Sequence, residues 1–138
     1  MRRLFTVAEA NAEVPRLAML VERLQRCALK LAAERHAAAE SLRVGAESIT
    51  SEALVRSRPA ASALIEELSS VVQEIERSGA QLKDVELGLV DFPAEIDGSS
   101  ILLCWQFGES EVAFWHREGE GFAGRHPLKG VTDSRVLQ

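Results

Sequence analysis

Five residues in the second half of the chain have side chains that could bind a ligand or take part in a reaction. They are Asp91, Cys104, Glu109, His116 and Arg125, and they lie on or beside three short apolar segments. A thiolate, an imidazole and a carboxylate together suit zinc or another divalent ion. Cys104, Glu109 and His116 are therefore candidate metal ligands, and a divalent metal such as zinc is the cofactor they would hold.

Other residues of the same region could contact a small ligand. We take Asp91 and Arg125 as candidate polar contacts, and Trp105 and Trp115 as candidate aromatic contacts. Each also has a purely structural interpretation. The tryptophans could fill a core or an interface, and Asp91 could cap a turn or pair with Arg125.

The candidate metal ligands have structural interpretations too, because their spacing matches neither a zinc finger nor an H-E-x-x-H helix. Cys104 lies in an apolar run, where cysteine usually packs as a small hydrophobic residue. His116 at a strand end could be half-buried with one hydrogen bond. Glu109 in a turn could be solvated or bonded to a backbone amide.

The register of the last two predicted strands decides whether Cys104 and His116 meet. Successive side chains of a strand point to opposite faces of the sheet. If Phe107 pairs with Glu111, Cys104 and His116 share a face as diagonal neighbours. If Phe107 pairs with Ser110, they lie on opposite faces. A metal site that uses both residues requires the first register.

Two further chemistries would use the same region. A cysteine nucleophile needs a nearby base and a group that orients the base, and Cys104, His116 and either Glu109 or Asp91 could take these roles. The run Gly121-Phe122-Ala123-Gly124-Arg125 could wrap an anion with backbone amides and the guanidinium. The glycines of that run are equally explained by backbone conformation.

The first half of the chain must supply the helices that support this region. Thr6 and Glu9 form a capping box, so a helix begins at Val7. Pro15 predicts a short first helix and then a kink or a restart. An apolar stripe with steps of three and four continues the helix to about residue 44, and Gly45 ends it.

A second helix is predicted over residues 59–78, with Pro59 in its first turn and Gly79 after its end. Residues 46–58 could be a loop or a weak helix that begins at Thr50. The two stripes are similar in length and heptad-like, as in a coiled coil, and they predict an antiparallel helical hairpin. Because long helices expose much apolar area, we expect a homodimer, and a monomer with self-covered stripes is the alternative.

Three short strands follow within residues 87–117. They are apolar runs that begin at Gly88, Ile101 and Glu111, and Asp97-Gly98 between the first two is a hairpin-turn signal. The second run is nearly all apolar, which predicts a central strand covered on both faces.

Proline and glycine mark the limits of this sheet. Pro93 cannot donate to a ladder, so the first strand is expected at an edge or to end there. The glycine-rich residues 118–138 predict a loop and a mobile tail. The predicted fold class is thus α+β, a long antiparallel helical hairpin followed by a small three-stranded antiparallel meander, in a single domain over residues 1–138.

Composition restricts the environment of the protein. The net charge is −5, and residues 84–138 carry 10 acidic and 4 basic residues, so we expect no nucleic acid partner. No apolar run is long enough to span a membrane, and Glu9, Asn11 and Glu13 interrupt the place of a signal peptide. With two cysteines far apart in sequence, the expected location is the cytoplasm.

Several motifs give the chain a family resemblance that spans nearly its whole length. It resembles the bacterial family catalogued as domain of unknown function 2203. The resemblance implies a small prokaryotic cytoplasmic protein with no settled activity. The motifs are Phe5-Thr6-Val7-Ala8-Glu9-Ala10-Asn11, Pro15-Arg16-Leu17, Gly88-Leu89-Val90-Asp91-Phe92-Pro93-Ala94, Leu103-Cys104-Trp105, Gly108-Glu109, Trp115-His116, Gly121-Phe122-Ala123-Gly124-Arg125 and Pro127.

Two functions of different classes are compatible with the sequence. The first is a non-enzymatic binding or assembly module that acts as a homodimer through its helices, with a further protein partner as one extension. The second is a protein that binds a divalent metal or small ligand, with a site on the sheet and a hydrolytic activity as one outcome. Whether the protein is an enzyme stays open at this point.

Overall fold

The computed structural model of the protein describes residues 2–138. The chain folds into a helical part and an antiparallel sheet, so the predicted α+β class is confirmed. Two short 3-10 turns, Ala46–Ser48 and Phe122–Gly124, lie in the connections. The helices are α1 (Val7–Leu42), α2 (Ser51–Ser57), α3 (Ala61–Glu76) and α4 (Ser134–Leu137), and the strands are β1 (Gln81–Asp84), β2 (Leu89–Ile96), β3 (Ser99–Gln106), β4 (Phe114–His116) and β5 (His126–Pro127).

Helix α1 begins as predicted but does not break at Pro15. The Thr6 hydroxyl accepts from the Glu9 amide and the Glu9 side chain accepts from the Thr6 amide, which completes the capping box. The helix then runs unbroken for 36 residues. An internal proline costs about 3 kcal/mol. Val14 and Leu17 on either side of Pro15 are buried in the core, and this packing offsets the cost.

The end of α1 also differs from the prediction. Arg43, with φ of 55°, takes the left-handed position that closes the helix, whereas Gly45 has an extended backbone. The Val44 amide then donates to the Ala39 carbonyl, which satisfies one of the last carbonyls of the helix. The helix therefore ends at Leu42, two residues before the predicted end at residue 44.

Helices α1 and α3 form the predicted antiparallel hairpin. Arg16 donates to the Glu74 carbonyl near one end, and Arg23 pairs with Glu67 further along at 3.0 Å. The weak helix from Thr50 is present as α2, and the Thr50 side chain caps it. At the hairpin tip, α2 contributes to a small separate apolar cluster made of Ala38, Ala39, Ile49, Leu54 and Ala61.

The sheet has five strands in the order β1-β2-β3-β4-β5, so the predicted three-stranded meander misses the two outermost strands. The predicted strands correspond to β2, β3 and β4. Strand β1, Gln81–Asp84, has a single apolar residue, and β5 has only two residues, so neither gives an apolar pattern. As predicted, β3 is the central strand, and Asp97 and Gly98 form the β2–β3 turn with positive φ angles of 50° and 79°.

Strand β2 lies inside the sheet, but at Pro93 it has no β1 residue beside it. Strand β1 pairs with β2 only from Leu89 to Asp91. Beyond the end of β1, the Pro93 carbonyl accepts from the Phe5 amide at 2.7 Å. Because β1 does not extend to Pro93, the lack of an amide hydrogen on this proline removes no hydrogen bond between β1 and β2.

One face of the sheet forms the main core against the helical hairpin. The side chains of this face alternate with those of the opposite face, on which Asp91, Cys104 and His116 lie. The helix stripes are covered within the chain, since Leu17, Val21 and Leu24 are fully buried. The core residues of the sheet are Val90, Phe92, Ala94, Ile101, Leu103 and Trp105, packed with Val71 and Ile75 of α3 and with the α1 stripe.

The predicted mobile tail, residues 118–138, is instead packed on the body. Leu128 and Val136 are buried in the core cluster. Asp133 is the anchor, because its carboxylate accepts from the amides of Asp97 (2.8 Å) and Arg135 (3.0 Å) and from the Arg135 guanidinium. It thereby caps α4 and fixes the β2–β3 turn.

The burial of α1 yields a stability prediction with a matched control on the same helix. Leu24→Ala should lower the free energy of unfolding by about 2–5 kcal/mol, since it leaves a cavity in the core. Leu29→Ala should have little effect because Leu29 is 73% exposed. Urea unfolding of both variants tests this. An equal loss in Leu29→Ala would indicate that a second chain covers this residue.

The Asp133 anchor yields a pH-dependent prediction. Hydrogen bonds from Arg135 and then from the amides of Asp97 and Arg135 hold the pKa of Asp133 well below its usual range. A lowered carboxyl pKa stabilises the fold fully above the unfolded value of about 4. The contribution is lost as the pH falls through the folded-state value.

Asp133→Ala should therefore lower the urea midpoint at pH 7, and the difference from the natural chain should shrink below about pH 4. Glu86→Ala, which removes an exposed acid, serves as the control for charge. A difference that stays constant down to acid unfolding would contradict the proposed role of the Asp133 carboxylate.

Candidate functional site

Three adjacent strands bring Asp91, Cys104 and His116 together. Asp91 on β2 lies directly opposite Cys104 on β3, and His116 on β4 pairs with Leu102, two residues from Cys104. This is the register in which Cys104 and His116 are diagonal neighbours on one face. The alternative register, with the two residues on opposite faces, does not occur.

The three side chains place one ligand atom each close enough together that the group could hold a metal ion. Their ligand atoms all lie within 4.8 Å of one another. A tetrahedral zinc ion with bonds of 2.0–2.3 Å needs ligand atoms about 3.3–3.8 Å apart, so separations of up to 4.8 Å would have to close by about 1 Å. Asp91, Cys104 and His116 are 2%, 1% and 4% exposed, and we call them the buried triad.

The hydrogen bonds of His116 fix the orientation of its ring. Nδ1 lies 2.8 Å from the Arg117 carbonyl oxygen, which can only accept, so Nδ1 carries a hydrogen and donates it. Nε2 faces Asp91 Oδ2 at 3.0 Å. A metal-binding histidine commonly donates its second ring N–H to a backbone carbonyl in this way.

The contact between His116 and Asp91 requires a shared proton. Since Nδ1 already carries its hydrogen, Nε2 and Asp91 Oδ2 can approach only if one proton lies between them. Burial is the main effect that raises the pKa of Asp91, and the charge of His116 opposes it. One proton thus lies between Asp91 and His116. A metal ion that bound both residues would take the place of this proton.

The Cys104 thiol is not an activated nucleophile in this environment. Burial and then the charge of Asp91 raise the pKa of Cys104 to about 12. Both ring nitrogens of His116 already have partners, so neither can take the thiol proton. The cysteine–histidine nucleophile pair considered from the sequence therefore lacks its base.

A cleft of about 610 Å³ opens onto the buried triad. Gln81 and Lys83 of β1 line one side, and Glu118 and Phe122 of the segment 117–125 line another. Arg2 also lines the cleft, and its guanidinium pairs with Glu118 at 2.7 Å. The triad is thus buried from bulk solvent but faces a cavity of ligand size.

Glu109 and Arg125 lie outside the triad and bind each other. Arg125 Nη2 donates to both Glu109 oxygens at 2.8 and 2.9 Å, and the Gln106 amide donates to Glu109 at 2.7 Å. The Arg125 guanidinium also lies 4.0 Å from the centre of the Phe114 ring and 4.7 Å from that of Phe122. Glu109 therefore fixes the end of β3 and ties the segment 117–125 to the sheet, and Arg125 pairs with it rather than with Asp91.

The two tryptophans lie on the helix-facing side of the sheet, away from the triad. Trp105 is fully buried, and its indole N–H donates to the Glu109 carbonyl at 2.9 Å. Trp115 pairs with Leu103 and stacks against His126 with ring centres 4.6 Å apart. Trp105 packs as a core side chain, and neither ring lines the cleft beside the triad.

The walls of the cleft are the part of the site that the sequence analysis did not identify. Gln81 and Lys83 lie in the unpredicted strand β1, and Arg2 precedes the first helix. A polar side chain at every second position of Gln81-Leu82-Lys83 is the one signal that could have indicated a strand with a polar face. Phe122 was considered only as part of the glycine-rich run.

Comparison with known proteins identifies the family and leaves the activity open. No curated protein and no solved structure matches this chain. A family model described as an uncharacterized conserved protein matches residues 3–128, which is most of the chain. The chain therefore belongs to this family, Uncharacterized conserved protein (DUF2203), as the resemblance of its motifs indicated.

Proposed function

We propose that the protein binds one divalent metal ion of the zinc type at Asp91, Cys104 and His116. One observation carries the proposal. Ligand atoms from three different strands converge within 4.8 Å, and the histidine ring is already held by a backbone carbonyl. A histidine, a cysteine and a carboxylate are all established zinc ligands.

The ligand set also bears on the kind of metal site. Three protein ligands with a fourth position left for water or substrate are typical of catalytic zinc, whereas structural zinc usually has four protein ligands. The fourth position here would face the cleft of about 610 Å³. A metal in this position would act as a Lewis acid and activate bound water, which supports hydrolysis as the reaction class.

The assembly function is the second proposal and has less support. It assumes that the apolar stripes of the helices are too large for one chain to cover. Leu17, Val21 and Leu24, however, are covered within the chain. Met19 and Leu29, which are 75% and 73% exposed, are the two most exposed large apolar side chains of α1 and could be covered by a second copy. Homodimerisation through these residues stays a prediction, and the Leu29→Ala measurement above tests it.

Two features of the chain bear on its membrane and redox environment. Within residues 2–138, no helix combines the length and the apolar character needed to cross a bilayer. Cys27 and Cys104 are both buried free thiols. Free thiols are typical of a reducing compartment, which supports the cytoplasm as the proposed location.

The metal proposal predicts a specific loss of affinity. The natural chain should bind one zinc ion, and His116→Ala should weaken binding at least about 100-fold because a direct ligand is lost. His36→Ala is the matched control, since His36 is exposed on α1. Competition against a chromophoric chelator measures the affinity, and far-UV circular dichroism reports the fold.

A second variant keeps the test valid if His116→Ala does not fold. Cys104→Ser preserves the size of the side chain while removing the thiolate, and it should weaken zinc binding to a similar degree. Unchanged stoichiometric binding in a folded variant of either kind would exclude the triad as the metal site. Equal loss in His36→Ala would assign binding to surface histidines.

The hydrogen bonds of the triad predict how many protons the metal displaces. The pair of Asp91 and His116 shares one proton, and Cys104 carries another. The hydrogen on His116 Nδ1 stays on that nitrogen, which donates it to the Arg117 carbonyl. Zinc binding near pH 7 should therefore release two protons for each ion, because all three ligands coordinate without them.

Calorimetry in buffers of different ionisation enthalpy measures this number. The observed binding enthalpy should depend on the buffer enthalpy with a slope that corresponds to two protons. In Cys104→Ser the slope should fall by one, since serine coordinates less readily and loses no thiol proton. A slope near zero for the natural chain would contradict the hydrogen-bond assignment at Asp91 and His116.

A further inference from the structure

We infer that the cleft beside the buried triad receives a small organic anion, with its charged oxygens between the metal position and Lys83 and its apolar part against Leu102 and Phe122. This inference rests on the proposed metal site and names the ligand class of that site.

Lys83 lies at an irregularity of strand β1. Leu82 pairs with Val90 and Asp84 pairs with Leu89, so Lys83 is the extra residue of a bulge. Bulges occur next to functional sites, where they redirect a side chain. Leu82 packs toward the core, and Lys83 lines the cleft together with Asp91.

The charges of the cleft leave a net attraction for an anion. Asp91 and a deprotonated Cys104 would neutralise a divalent ion. Arg2 and Glu118 neutralise each other through their ion pair at 2.7 Å. Lys83 forms no ion pair with any residue in the part of the chain that the structure describes. Among the described residues that line the cleft, Lys83 is therefore the charged side chain without an ion-pair partner, and an anionic oxygen would suit its ammonium.

The remaining wall of the cleft is apolar, which favours an organic anion over an inorganic one. Leu89 and Leu102 line the cleft from the sheet, and Phe122 lines it from the segment 117–125. Phe122 is 39% exposed, so part of its ring is free to contact a ligand. A volume of about 610 Å³ is within the range of small-molecule sites and is larger than a single phosphate needs.

The test uses the full-length protein loaded with Co²⁺, which takes zinc positions and gives visible absorption bands. Phenylphosphonate and inorganic phosphate are titrated separately into the loaded protein. Both should change the cobalt spectrum, because an anionic oxygen replaces water at the fourth position. Phenylphosphonate should bind more tightly than phosphate, since its ring can contact the apolar wall.

Variants at Lys83 separate a built anion site from general charge attraction. Lys83→Met should weaken phenylphosphonate binding about five-fold to ten-fold, while the affinity for Co²⁺ changes little. Lys83→Arg should retain most of the binding. Lys30→Met is the matched control, since it makes the same change of net charge on an exposed position of α1.

The outcomes distinguish failure of this inference from failure of the metal site. If the natural chain does not bind Co²⁺, or binds it without thiolate absorption, the metal proposal is wrong and this inference falls with it. If Co²⁺ binds at the triad but neither anion changes the spectrum, only the anion inference is wrong. It is also overturned if Lys83→Met and Lys30→Met weaken binding equally.

Discussion

The pairing register of the central strand is the constraint on which the rest of the molecule depends. Strand β3 sets Asp91 opposite Cys104 on one side and Leu102 opposite His116 on the other. A shift by one residue would move every side chain of β3 to the other face, with Trp105 exposed to the cleft and Cys104 turned into the core. The same register therefore builds the core and the buried triad.

Several contacts outside the ladder stabilise this register. At one end of β2 and β3, the Asp97-Gly98 turn is held by the Asp133 carboxylate. At the other end of β3, Glu109 accepts from the Gln106 amide and also pairs with Arg125. These ionised side chains act as hydrogen-bond acceptors for turn amides, which makes the bonds stronger than neutral ones. The turns are consequently fixed although they lie at the surface.

The buried triad lowers the stability of the fold, because its three side chains are polar. A carboxyl, an imidazole and a thiol are all less than 5% exposed, and burial without partners would destabilise each of them. The shared proton of Asp91 and His116 and the carbonyl partner of Nδ1 offset part of the cost. A hydrophobic trio of similar volume would pack there with no such requirement. This cost favours a functional explanation for the triad over a purely structural one.

The sequence by itself determined the elements with strong local signals, which are the capping box at Thr6, the apolar stripes of the hairpin and the Asp97-Gly98 turn. Such signals act within a few residues, so they need no tertiary contact. Only the tertiary structure decided the register at Cys104, the continuous helix through Pro15, and strands β1 and β5. Register and edge strands depend on pairing between distant segments, and packing overrides the local effect of proline. For the same reason, the sequence indicated Glu109 as the carboxylate ligand with Cys104 and His116, whereas the pairing of distant strands places Asp91 beside them.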